Sequence, residues 1–149
     1  HIEKVEMPYT GEPYMTTQGG FEVSEREVLM LARMAHAENH RGGYWGQIAV
    51  AQCAIDRLEI NYGGNDTLMG VLTKPNQFCI SAYMCDECLQ SAIDAVNGVR
   101  ALPDHYILHF RASESTADWC RMQQIAREHG HSLYGIPRAN ADPDEICTE

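Results

Sequence analysis

Glu38 is the residue whose position best suits acid–base chemistry. It lies seven residues after Leu31, which lies three after Val28. On a helix that spacing turns Glu38 to the same face as the apolar stripe. A carboxylate there loses solvent, and desolvation raises its pKa toward that of a general acid. Gly42 and Gly43 follow closely and leave room for a ligand beside it. The competing reading is an ordinary solvated glutamate in a frayed last turn.

Other residues of chemical interest surround this one. His36 and His40 stand four apart, a spacing that can bind a metal, although H-A-E-N-H is not H-E-x-x-H and no third ligand is evident nearby. His36-Ala37-Glu38 followed by Cys85-Asp86-Glu87-Cys88 also approaches the H-x-E and P-C-x-x-C signature of zinc nucleoside or base deaminases. Met84 replaces the proline, and the H-x-E closes a helix instead of opening one. The chain has six cysteines: Cys53, Cys79, Cys85, Cys88, Cys120 and Cys147. An even count suits disulfides in an oxidising compartment. If the protein is exported, at least one disulfide is expected, involving the Cys79, Cys85 and Cys88 cluster or joining Cys120 to Cys147. A structural zinc or buried thiols are the rivals, and Cys85 shares the helical face of Leu89, which suits burial. Aromatic and amide residues recur together in Tyr44-Trp45-Gly46-Gln47, Asn76-Gln77-Phe78, Trp119 and His131-Ser132-Leu133-Tyr134. Sugar-binding clefts combine such rings with amide hydrogen bonds; core packing and turn capping also account for each one singly.

Helices must position most of these groups. Residues 1–23 carry prolines and glycines without apolar period and read as an irregular N-terminal arm. Ser24 and Glu27 form a capping box that opens a helix over residues 25–38. The segment from Tyr44 to Ile60 is apolar on most sides, which predicts a centrally buried helix. A short helix over Thr67–Leu72 stops before Pro75. Another covers Asp86–Val99, with Leu89, Ala92, Ile93 and Val96 inward. Tyr106–Phe110 is β-leaning. A last helix is expected from Asp118 through Trp119, Met122 and Ala126 to about Gly130, with an irregular tail from Pro137. The fold class is therefore mainly α with a small β element, and residues 24–149 form the catalytic domain.

Composition narrows the function. A chain of 149 residues suits one domain, large enough to bury roughly 68–70% of its unfolded surface. The net charge of −10 argues against nucleic acid. No apolar run approaches the ~18 residues of a membrane span. The chain starts at His1 with no signal peptide in view, so a targeting segment is expected to have preceded it. Oligomeric state is not legible.

Several stretches resemble the SleB-like (spore-cortex-lytic) cell wall hydrolase family. The strongest is "LARMAHAENHRGGYWGQIAVAQCAIDR", Leu31 to Arg57, similar to A-R-x-x-x-x-E-x-R-G-E followed by Y-x-G-Q-x-A-V-A-x-V-x-x-N-R. "VLTKPNQF" resembles V-I-x-Q-P-x-Q-F, "SAIDAVNGV" the A-x-x-A-L-x-G helix, "HYILHF" the A-L-Y-F segment, and Trp119 with "GHSLY" the closing W and G-x-H-x-F-Y. The resemblance covers about residues 25–135 in the same order. Asn39-His40-Arg41-Gly42-Gly43 stands in place of the usual small-residue loop ending in Glu, and Asp56 in place of Asn. The resemblance implies a lysozyme-like helical domain, exported or wall-associated. It would cut the glycan strands of peptidoglycan between muramic acid and glucosamine, with Glu38 as acid/base and no cofactor or metal. It also implies cleft or cleft-support roles for Tyr44, Gln47, Gln77, Phe78, His131 and Tyr134. A non-catalytic wall-binding module is the remaining alternative.

The second carboxylate of an ordinary glycosidase has no obvious candidate. Retention needs a pair roughly 5–5.5 Å apart and inversion about 6.5–9.5 Å. Asp56 and Glu59 lie off the main stripe of their helix, Glu25 and Glu27 are a helix-length away, and Asp86 and Glu87 open another helix. Muramic acid carries its own 6-hydroxyl, which can attack the anomeric carbon, so one glutamate suffices. The expectation is lytic transglycosylation with 1,6-anhydromuramoyl ends.

Overall fold

The computed structural model describes residues 2–4, 12–112, 123–128 and 131–139. Its organising element is a helix, α2 (Gly43–Glu59), in which every residue from Gly46 to Leu58 is buried. That matches a sequence apolar on nearly all sides. Three elements pack against one part of it: α1 (Glu25–Asn39), α3 (Leu68–Thr73) and α4 (Asp86–Val96). Ala49 and Cys53 of α2 instead meet a sheet, packing with Ile107 and Leu133. That sheet has three antiparallel strands, β5 (His105–Ala112), β6 (Gln123–Glu128) and β7 (His131–Pro137), with β7 central. The core is thus divided by α2, with a larger helical part built on Leu31, Met34, Ile48, Ile55 and Leu72 and a smaller part under the sheet.

The helices begin where the sequence predicts. Ser24 caps α1: its Oγ accepts from the Glu27 amide at 3.1 Å, and Glu27 Oε1 accepts from the Ser24 amide at 2.9 Å. The other Glu27 oxygen accepts from the Met69 amide at 2.7 Å, so the same carboxylate holds the start of α3. Thr67 is the N-cap of α3. The helix α4 ends at Val96, three residues short of expectation, because Gly98 turns the chain out at φ 103°. The inward face also differs: Cys88, Ser91, Ala92, Ala95 and Val96 are buried, whereas Leu89 and Ile93 are half-buried.

Three expectations need correction. The stretch read as an irregular arm contains strands: β1 (Ile2–Lys4) pairs with β4 (Tyr83–Cys85), and β2 (Pro13–Thr16) pairs with β3 (Glu22–Ser24). Of these pairings, β2–β3 is local, whereas β1 needs a partner some eighty residues away, which local patterning does not reveal. Ala126, expected in a last helix, lies in β6. Gln123–Glu128 has good local helix propensity, but pairing with β7 overrides it. Asp118, Trp119, Met122 and Gly130 lie outside the described residues. Finally, Cys53, Cys79, Cys85 and Cys88 are free thiols, so the disulfide expected to involve the Cys79, Cys85 and Cys88 cluster is not formed. Cys120 and Cys147 lie outside the described residues. No helix among the described residues is long and apolar enough to cross a membrane.

Candidate active site

The last turn of α1 carries Glu38 out of the helical core toward the segment that links α3 to β4. Its Oε2 accepts from the backbone amide of Cys79 at 3.2 Å. The carboxyl group is half-buried, and its pKa is raised from the ordinary 4.5, by burial chiefly, with the Cys79 amide opposing. That is the direction a general acid requires.

Beside Glu38 the linking segment presents Gln77 and Phe78, and both are held by Arg57 of α2. Arg57 Nη1 donates to Gln77 Oε1 at 2.9 Å, and its guanidinium lies 4.8 Å from the centre of the Phe78 ring. Arg57 Nε donates to the Leu108 carbonyl at 2.8 Å, tying the same side chain to β5. Phe78 in turn packs against Phe110 at 6.0 Å, and Phe110 meets His131 edge-on at 5.3 Å. A row of half-buried rings thus runs from the vicinity of Glu38 to the start of β7. Aromatic faces next to a desolvated carboxyl can hold a sugar and protonate its glycosidic oxygen.

The remaining expected site residues lie elsewhere. Tyr44 donates from its hydroxyl to Asp94 Oδ2 at 2.6 Å, on the α4 side of α2. Gln47 is fully buried, donating to the His40 carbonyl at 3.2 Å and Glu87 Oε1 at 2.9 Å while accepting from Ser91 Oγ at 2.8 Å. It braces the turn after α1 and does not reach a cleft. Tyr134 is buried and accepts from Arg111 Nη2, whose guanidinium sits 4.6 Å over its ring. Since Leu133 faces α2, alternation puts Tyr134 on the far side of the sheet. The room expected at Gly42 is occupied: a Cβ there would lie 2.6 Å from the Asn39 amide. Gly43 has φ 71°, which the entry to α2 requires.

Arg57 was not singled out beforehand, although it stands in the most specific motif. Its signal was there: a basic residue on an otherwise apolar helix has to be paired. His109 was missed as well. Arg57 Nη2 donates to its Nδ1 at 3.2 Å and Tyr62 Oη lies 2.6 Å from its Nε2, so the imidazole is neutral. Burial chiefly, and the charge of Arg57 next, push its pKa down to about 3. Four of the six carboxylates considered as a second catalytic group have other partners. Asp56 accepts from Ile107 N, Gln52 and Arg138, Glu59 from Arg138, Glu27 from Ser24 and Met69, and Glu87 from Gln47.

The cell wall hydrolase family matches residues 41–134, well over half of the chain. The chain belongs to the cell wall hydrolase family. Among solved structures, this cell wall hydrolase is similar to the catalytic domain of the germination-specific lytic transglycosylase SleB from Bacillus anthracis. The two share 25% identity at a TM-score of 0.62, over 74% of this chain and 95% of that one. The catalytic domain of the Bacillus cereus SleB protein matches at 21% identity and a TM-score of 0.64, over 84% of this chain and 96% of that one. No curated protein matches by sequence. The cell wall hydrolase thus has the mainly helical, lysozyme-like fold expected. The family match begins at Arg41, three residues beyond Glu38, so the role of Glu38 rests on its own geometry.

Proposed function

We propose that this cell wall hydrolase cleaves the glycan strands of peptidoglycan as a lytic transglycosylase, with Glu38 as its only acid/base. The observation that carries this reading is the raised pKa of a half-buried Glu38 beside the Phe78–Phe110–His131 row. The similarity to a lytic transglycosylase catalytic domain supports it. So does the commitment of Asp56, Glu59, Glu27 and Glu87 to other partners. Glu25 opens α1, on the order of 20 Å along the helix from Glu38. Protonated Glu38 gives its proton to the glycosidic oxygen between muramic acid and glucosamine. The resulting carboxylate then takes the proton of the muramic acid 6-hydroxyl as that oxygen closes on the anomeric carbon. Phe78 and His131 line the cleft with Gln77 beside them, while Tyr44, Gln47 and Tyr134 support the walls from behind. Export to the cell wall or a spore follows from such a substrate.

The test is digestion of purified peptidoglycan followed by mass spectrometry. The expected fragments end in 1,6-anhydromuramic acid, lighter by one water than reducing ends, and Glu38→Gln keeps the fold but loses at least ~10²-fold in rate. Reducing ends alone would reveal a second carboxylate and defeat the transglycosylase reading. Undiminished cleavage by Glu38→Gln would remove Glu38 from the mechanism. Peptidoglycan binding without any product would mark a non-catalytic wall-binding module.

A further inference from the structure

Away from the Glu38 site, three ligand-type side chains converge where α1 meets the β4–α4 junction. Nδ1 of His36 lies 3.8 Å from Sγ of Cys88, and one ligand atom from each of His36, Cys85 and Cys88 falls within 4.8 Å of the others. The chain builds this locally. Cys85 is the N-cap of α4, and its Sγ accepts from the Cys88 amide at 3.3 Å. His36 is buried, and its ring is fixed by stacking on His40 at 4.4 Å, while His40 Nδ1 donates to the His36 carbonyl at 3.0 Å.

We propose that His36, Cys85 and Cys88 form a zinc site that staples α1 to the β4–α4 junction. Zinc bonds of ~2.0–2.3 Å put tetrahedral ligands roughly 3.5–3.8 Å apart. The His36–Cys88 pair already has that separation, and side-chain shifts of about 1 Å bring in Cys85. Two sulfurs and an imidazole select zinc over magnesium or calcium. Binding expels both thiol protons to solvent, so two thiolates neutralise the ion. Cys85 is half-buried, which leaves the fourth position to water.

The role is structural. Residues two apart on an α-helix point about 200° from each other. Glu38 therefore faces the Cys79 amide while His36 faces α4. A zinc deaminase needs its glutamate beside the metal-bound water, and here the two lie on opposite sides of α1. The site thus adds a metal to a domain whose chemistry calls for none, and it stands whether or not the transglycosylase reading does.

Metal analysis of the full chain, purified under reducing conditions and passed over a chelating resin, tests this. The expected result is one zinc per chain, absent from the Cys85→Ser/Cys88→Ser double variant and fully retained by Glu38→Gln. Cobalt(II) loaded into the unaltered chain should give thiolate-to-metal charge-transfer absorption, which remains decisive if the double variant fails to fold. A reduced chain that takes up neither zinc nor cobalt overturns the site, as does a Cys85–Cys88 disulfide in its place. Zinc removal that abolishes glycan cleavage with the far-ultraviolet circular dichroism unchanged overturns the structural role.

Discussion

The role proposed for Glu38 depends on what its surroundings withhold. Burial removes water from the carboxyl group, and only the Cys79 amide pulls its pKa back. The acid form is the one that donates the proton, so activity has to fall as pH rises through that pKa. The expected pH profile of kcat/KM on soluble glycan has an alkaline limb with its midpoint above 4.5, the ordinary value for glutamate. A limb at or below the ordinary value would show that Glu38 does not donate the proton. Phe78 and Gln77 owe their placement to Arg57 and not to their neighbours in sequence. The bare sequence could therefore nominate them only through the motif.

At the level of elements, the capping box does more than open a helix. Glu27 closes it through one oxygen and holds the first turn of α3 through the other. Ser24→Ala removes one cap bond and is expected to cost about 1 kcal/mol. Glu27→Ala also leaves the Met69 amide without its acceptor, so its cost should be larger, about 2–3 kcal/mol. Urea unfolding of the two variants separates these values, and equal losses would mean that the bond to α3 contributes nothing. The box was plain from the sequence because its two residues are three apart. The link to Met69, forty-two residues from Glu27, was not.

Across the whole molecule, buried polar groups join α2 to the sheet. Asp56 accepts from the Ile107 amide at 2.9 Å and from Arg138 Nη2 at 2.7 Å, and Arg57 and Tyr62 enclose His109 of β5. This arrangement makes stability depend on pH. The folded His109 takes a proton only near pH 3, whereas the unfolded residue takes one near 6.5. Between those values the unfolded chain binds the extra proton. The His109 contribution to stability should therefore be full above about pH 6.5 and fall by up to ~1.4 kcal/mol per unit as the pH drops toward 3, opposed between 3.8 and about 6 by Asp56, whose pKa burial raises. Melting curves from pH 8 to 4.5 check it: His109→Asn is expected to start less stable and decline less steeply. Parallel declines in the two proteins would assign the acid sensitivity to other groups.

The sequence by itself determined α1, α2 and α3. Ser24–Glu27, the all-round apolar stretch in α2 and the Thr67 cap are local signals, set within a turn or two of chain. It also carried Glu38, because a residue on a regular helix has its face fixed by counting. The tertiary structure alone decided three things. It made Gln123–Glu128 a strand, since only the neighbouring β7 could outweigh its helix propensity. It sorted the expected site residues, grouping Phe78 and His131 through Phe110 while turning Tyr44 and Gln47 toward α4. And it brought His36 to Cys85 and Cys88, about fifty residues away, without a disulfide. Contacts of that range depend on how helices cross and on which face each strand turns inward, and local spacing encodes neither.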